Sequence, residues 1–255
     1  MYDRLANLPY IPYCGVPSLP GELWLAWNLD PKLLFAFAAA AIFGYLRLRS
    51  ASRQRQWCYA GAWLLLFLAL VSPLCNLTSA LFSARVAQHL VMIQLAAPLL
   101  VLSGVFRRRW LPGNPILLWG AHGVCIWLWH LPIPYEMALR YESVLWLMHL
   151  SLFGTAVAAW RSLLQPASGH EQGQAFVGAL ATSIHMGLLG AVLTFASVAL
   201  FDYHVLTAPL WGLTGLEDQQ LAGLIMWVIG GAIYLSVSVA TAAHLLWQTA
   251  ETTEQ

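Results

Sequence analysis

Residues 84–105 read ARVAQHLVMIQLAAPLLVLSGV, and this stretch decides the fold. Its one formal charge is Arg85. At about 1.5 Å per residue, a helix of that length reaches across a hydrocarbon core of roughly 30 Å. The rest of the chain agrees with it. Hydrophobic residues make up 60% of the 255 and charged residues 9%, with a mean hydropathy of +0.67. A soluble domain carries roughly 25% charge, so a water-soluble chain of this size has no way to hide so much apolar surface. The net charge of +1 speaks against nucleic acid as a partner.

Working outward, seven spans are predicted, near Leu33–Leu46, Trp57–Leu74, Ala84–Val105, Pro115–His130, Val144–Trp160, Phe176–Val198 and Gln220–Ala240. The first is short unless it takes in Trp27 to Asp30. Backbone polar groups have no water to bond in lipid, so the spans must be helical, and the fold class is an all-α polytopic bundle. Arg47, Arg49, Arg53 and Arg55 precede span two, Arg107, Arg108 and Arg109 precede span four, and Arg161 follows span five. With alternating helices they share one face, which the positive-inside rule makes cytoplasmic. The expected order is an external Pro-rich segment (1–30), without the basic and apolar regions of a signal peptide, then a membrane domain (31–245) and a cytoplasmic tail (246–255). Such a protein belongs in the bacterial inner membrane.

Titratable groups at bilayer depth are costly, and they mark function more often than they do in water. Counting inward from the helix ends sorts the histidines. His130 caps the outer end of span four, while His89 and His149 sit roughly 8–10 Å below the outer boundary. His185 lies near the midplane, His122 and His244 belong to the inner leaflet, and His170 and His204 fall in loops. Arg85, His89 and Met92 stand at i, i+4 and i+7, on one helical face. Imidazole with thioether suits a soft ion such as Cu(I). The plain alternative is a histidine bonded to a neighbouring helix and a methionine filling core space.

Asp218, at the start of span seven, reads either as a first-turn residue complementing the helix dipole or as a functional carboxylate. Gln219, Gly223 and Met226 also share a face, and Gly223 permits close helix approach. Cys14 and Cys75 are both expected on the oxidising side, where they could pair or bind metal, whereas Cys58 and Cys125 read as small hydrophobes. No Ser-His-Asp spacing, phosphate loop or paired carboxylates appear, so no enzymatic activity is expected.

Three stretches together resemble the polytopic CtaG family of cytochrome c oxidase assembly factors. They are Gln88-His89-Leu90 through Ala97-Pro98-Leu99-Leu100, Trp127-Leu128-Trp129-His130-Leu131-Pro132, and Asp218-Gln219-Gln220-Leu221-Ala222-Gly223-Leu224-Ile225-Met226-Trp227. Leu188-Leu189-Gly190 and Leu193-Thr194-Phe195 fit in the expected order. The resemblance implies help in building a haem–copper oxidase, whose subunits are then the partners, through copper insertion from the outer face. His89, His130, His149, His185, Met92 and Asp218 are the metal candidates. The chain departs from the family where Arg85-Val86 replaces a His-Met pair, and near Leu145 and Met148, where the family tends to carry a histidine and an acid. Three other readings stand beside this one. A haem-b electron carrier would use His89 and His149 as axial ligands; a scaffold would bind oxidase subunits without metal; a copper importer would act even where no oxidase is made.

Overall fold

A computed structural model describes residues 8–106 and 113–253, with side chains through residue 247. Helix makes up 79% of the described residues, and no strand occurs among them. Five helices are long and apolar enough to cross a membrane, and two bent pairs bring the number to as many as seven. Arg4 and the Arg107–Arg109 group lie outside the described residues.

The first helix, α1 (Pro31–Leu48), starts where Asp30 accepts a hydrogen bond from Lys32 N at 2.7 Å and Pro31 takes the first helical position. The stretch from Trp27 does not join it; the predicted Leu33–Leu46 gains two residues at each end instead. α2 (Arg53–Leu70) stops short of the predicted Leu74. Pro73 has no N–H to continue the ladder and pushes Ser72 out of helical geometry. Ser72 then caps a new helix, α3 (Pro73–Ala80), bent 45° from α2. Span two is therefore broken where a continuous helix was expected.

The stretch read first is α4 (Phe82–Leu102). It widens into π-helical geometry at Val91–Ala96, just before Pro98, whose ring cannot accommodate the carbonyl four residues back. α5 (Pro115–Trp129) ends at His130, and α6 (Pro132–Arg140) turns 76° away to run crosswise. α7 (Glu142–Leu164) and α8 (Gly169–Phe195) follow; α8 absorbs the segment 169–173 predicted as a loop, with Ser168 as its cap. α9 (Asp202–Thr207) is a short helix in what was read as a loop. The last, α10, runs through Gly215–Leu224, a second π-helical turn at Ile225–Gly230, and Gly231–Thr253, into the predicted tail.

The two π turns meet. Gln94, in the first, donates to the Gly230 carbonyl in the second at 2.8 Å, satisfying an oxygen that the wide turn frees. α8 and α10 approach closely, as the Gly223 reading predicts. A Cβ on Gly223 would meet the Gly190 carbonyl oxygen at 2.6 Å, so backbone touches backbone there.

One end of the bundle is closed by an ordered cap. Cys14 and Cys75 form a disulfide, with 5.4 Å between their Cα atoms. Beside it, buried Asn76 donates to the carbonyls of Cys14 (3.0 Å) and Val16 (2.8 Å) and accepts from Ser18 N (3.0 Å). Trp211 donates to the Ser18 carbonyl at 3.1 Å. Tyr10 stacks on Tyr203 at 4.9 Å between ring centres and donates to the Glu136 carboxylate. From Leu8 onward, the segment read as an external tail is pinned to α3, α6 and α9.

Candidate functional site

Beneath this cap three predicted histidines converge. His89 and His149 each stand two turns in from the start of α4 and α7, which places them at one depth, roughly 10 Å along each axis. Their ring centres are 5.6 Å apart, and His130, at the end of α5, lies 6.0 Å from His89. All three are buried. Phe82, stacked on Phe201 at 4.0 Å and edge-on to Tyr135 at 5.1 Å, roofs the group over His130. These rings cover His130 on the cap side.

The hydrogen-bond state of the three differs. His130 Nδ1 lies 2.7 Å from the Ile126 carbonyl, which only accepts, so Nδ1 carries the proton and Nε2 keeps its lone pair. The ring nitrogens of His89 and His149 have no hydrogen-bond partner among the described residues. Leaving a buried polar atom unmatched costs about 1–3 kcal/mol. A folded protein keeps such atoms where a ligand or water completes them.

Met92, also buried, lines a cavity of about 590 Å³ together with His149. Tyr13, Asp30, Lys32 and Glu142 are among the residues lining this cavity, which lies between α1 and α7. Lys32 and Glu142 pair there at 3.6 Å, an exposed pair worth little to stability. The Tyr13 hydroxyl, 2.6 Å away, and Lys32 N–H hold the Asp30 carboxyl below the usual carboxylate range.

Asp218 joins this end of the molecule in a role that neither sequence reading assigned. Its carboxylate accepts from Phe82 N at 2.6 Å, Ser83 N at 3.1 Å and the Ser83 hydroxyl. It caps α4, the helix that carries His89, rather than its own, where Thr214 and Glu217 form the capping box. His185 stands apart. It is half-buried in a groove between α5 and α8, against Gly123.

His122 contrasts with the outer three. It falls midway along α5 rather than toward one end, fully buried. Thr155 uses its own hydrogen toward the Ser151 carbonyl, so its oxygen accepts from His122 Nδ1 at 3.1 Å, and Tyr234 donates to Nε2 at 3.0 Å. Sequence reading missed Tyr135, Tyr203 and His204. His204 Nε2 accepts from the Tyr135 hydroxyl at 2.8 Å, while Nδ1 lies 3.3 Å from the Ala80 carbonyl. Burial pushes its pKa down from 6.5 to about 3, with the Arg85 charge adding to the effect. Nothing in the local pattern of residues 201–211 announces a buried histidine.

Among the described residues, no group of three or more His, Cys, Asp or Glu side chains is arranged tightly enough to hold a metal ion as placed. The spacing of the rings, however, lies in the range of a shared ion: with metal–nitrogen bonds of roughly 2 Å, two imidazoles on one ion put their centres about 5–6 Å apart. A family model described as cytochrome c oxidase caa3 assembly factor matches residues 39–248. Comparison with curated proteins and with solved structures returned no match.

Proposed function

Since the chain belongs to the family of cytochrome c oxidase caa3 assembly factors, we propose that it is a seven-span inner-membrane bundle that assists copper insertion into a haem–copper oxidase from the outer face. The observation that carries this reading is the buried group of His89, His130 and His149, with four ring nitrogens that nothing in the described chain satisfies. Copper is cargo here, taken up and passed on. Cu(I) prefers imidazole and thioether donors, and Met92 supplies the thioether on the cavity that reaches His149.

His130 is prepared in the way metal-binding histidines are. Its Nδ1–H is spent on a backbone carbonyl, which fixes the ring and points the Nε2 lone pair elsewhere. Asp218 holds the start of α4 and thereby sets the height of His89. The cap covers His130, so a bound cuprous ion is shielded from solvent on that side. Its disulfide favours an oxidising compartment, which agrees with an external N-terminus, and the arginine-rich loops favour a cytoplasmic position for the other end.

The oxidase purified from a strain lacking this protein tests the proposal. It is expected to contain all its subunits and less copper. Full copper stoichiometry in that oxidase would contradict the delivery role.

A further inference from the structure

Arg85 is the residue the copper reading leaves unexplained. It is 1% exposed, one helical turn from His89, and its Nε and Nη1 have no hydrogen-bond partner among the described residues. A guanidinium is always charged, and burying one without a counter-charge in contact costs several kcal/mol. The acids nearby are occupied. Asp218 binds Phe82 N, Ser83 N and the Ser83 hydroxyl. Glu136 takes the Tyr10 hydroxyl. Neither makes an ion pair with Arg85 among the described residues.

Other unmatched groups surround it. The hydroxyl of Tyr203, 1% exposed, also lacks a partner, as do both nitrogens of His89 and of His149, each 3% exposed. Arg85 acts electrostatically on Tyr203, His89 and His149 and faces the Tyr135 hydroxyl. One arginine, one phenol and two neutral imidazoles supply N–H and O–H donors around a single net positive charge. Donors without acceptors, around an uncompensated cation, describe the environment an anion selects.

We propose that Arg85, Tyr203, His89 and His149 bind a small monovalent anion of halide or carboxylate chemistry beneath the cap. One negative charge neutralises the arginine, whereas a dianion would leave a buried charge of the opposite sign. All four side chains are buried, so a ligand of a few atoms suits them. The anion uses the N–H side of each imidazole, and a cuprous ion uses the lone-pair side, so the two do not compete. The anion also removes the repulsion that Arg85 would otherwise exert on bound copper. The site stands beside the copper reading and does not depend on it.

The test uses full-length protein in detergent, stripped of copper by a chelator. Thermal unfolding is followed at constant ionic strength while chloride or formate replaces gluconate, an anion too large to enter. Wild type should show a saturable upward shift of the unfolding midpoint with chloride, with formate or with both. Arg85→Gln should lose that shift, and His185→Ala should keep it. Identical midpoints in chloride, formate and gluconate would overturn the proposal, as would an undiminished shift in Arg85→Gln. If Arg85→Gln does not fold, wild-type crystals soaked in bromide and in formate decide the matter. A bromide anomalous peak or formate density beside Arg85 supports the site, and neither there overturns it. Because copper is absent throughout, failure of the copper reading leaves the result unaffected.

Discussion

His122 and the His89–His149 pair are both buried histidines on neighbouring helices of one bundle, and they are finished in opposite ways. His122 gives its proton to Thr155 and accepts one from Tyr234, so the chain satisfies it completely. His89 and His149 sit as deep and are left open at every ring nitrogen. Burial alone therefore does not identify a functional histidine. What separates the two is whether the protein itself supplies the hydrogen-bond partners. The open pair also lies under an ordered cap, and the satisfied one does not.

The largest expected effect bears on that cap. The Cys14–Cys75 bridge joins residues 61 apart in sequence, and closing a loop of that length stabilises by roughly 4 kcal/mol. Cys14→Ser should lower unfolding stability on that order and expose the outer histidines to water. His122 should stay protected, which histidine-selective modification read by mass spectrometry checks. Equal exposure of both histidine environments would erase the contrast between them.

Next in size are paired substitutions. His122→Leu takes the acceptor from the Tyr234 hydroxyl and the donor from the Thr155 oxygen, and should cost about 2 kcal/mol in copper-free protein. His149→Leu removes two unmatched atoms and should be neutral or stabilising, by up to about 1 kcal/mol, as happens where a site is kept for function. Denaturant unfolding of the two variants side by side reads the sign. A loss for His149→Leu as large as that for His122→Leu would mean that unseen partners complete the outer ring.

The effect that is smallest near neutral pH is a slope that opens only in acid. His204 is satisfied like His122, and its folded pKa of about 3 lies below its ordinary 6.5. The unfolded chain thus binds a proton that the folded chain refuses. The stability contributed by neutral His204 is whole above pH 6.5 and falls by about 1.4 kcal/mol for each unit below it, down to about pH 3. His204→Gln should flatten the acid slope by about one proton. An unchanged slope would remove His204 from the set of satisfied histidines.

Much of this contrast was legible in the sequence, and the part that was not has a physical cause. The i, i+4 spacing of Arg85 and His89 and the depth of His149 put these side chains at one level of the bundle, where the fold has them, because helical rise converts residue number directly into depth. Gly223, having no side chain, forecast a close helix approach, and the fold makes it with α8. Of the cap, only the Cys14–Cys75 pairing was legible, as one of two alternatives. Tyr10 meets Glu136, Asn76 meets Cys14 and His204 meets Tyr135 across long separations in sequence, and short polar residues in loops carry no periodicity. Pro73 ended span two early because a proline's local restriction outranked an apolar run. Asp218 was read against its own helix, whereas its bonds go to α4, and only the fold brings that helix start to it.

The central claim is that the outer histidines form a cargo site and the inner one a structural joint. Cu(I) affinity, measured by competition with a chelator of known strength, tests it in wild type, His89→Ala, His149→Ala and His122→Ala. The account predicts Cu(I) binding by wild type that is retained in His122→Ala and lost, by tenfold or roughly 1.4 kcal/mol at least, in both outer variants. Equal affinity in all four proteins, or a loss confined to His122→Ala, would contradict it.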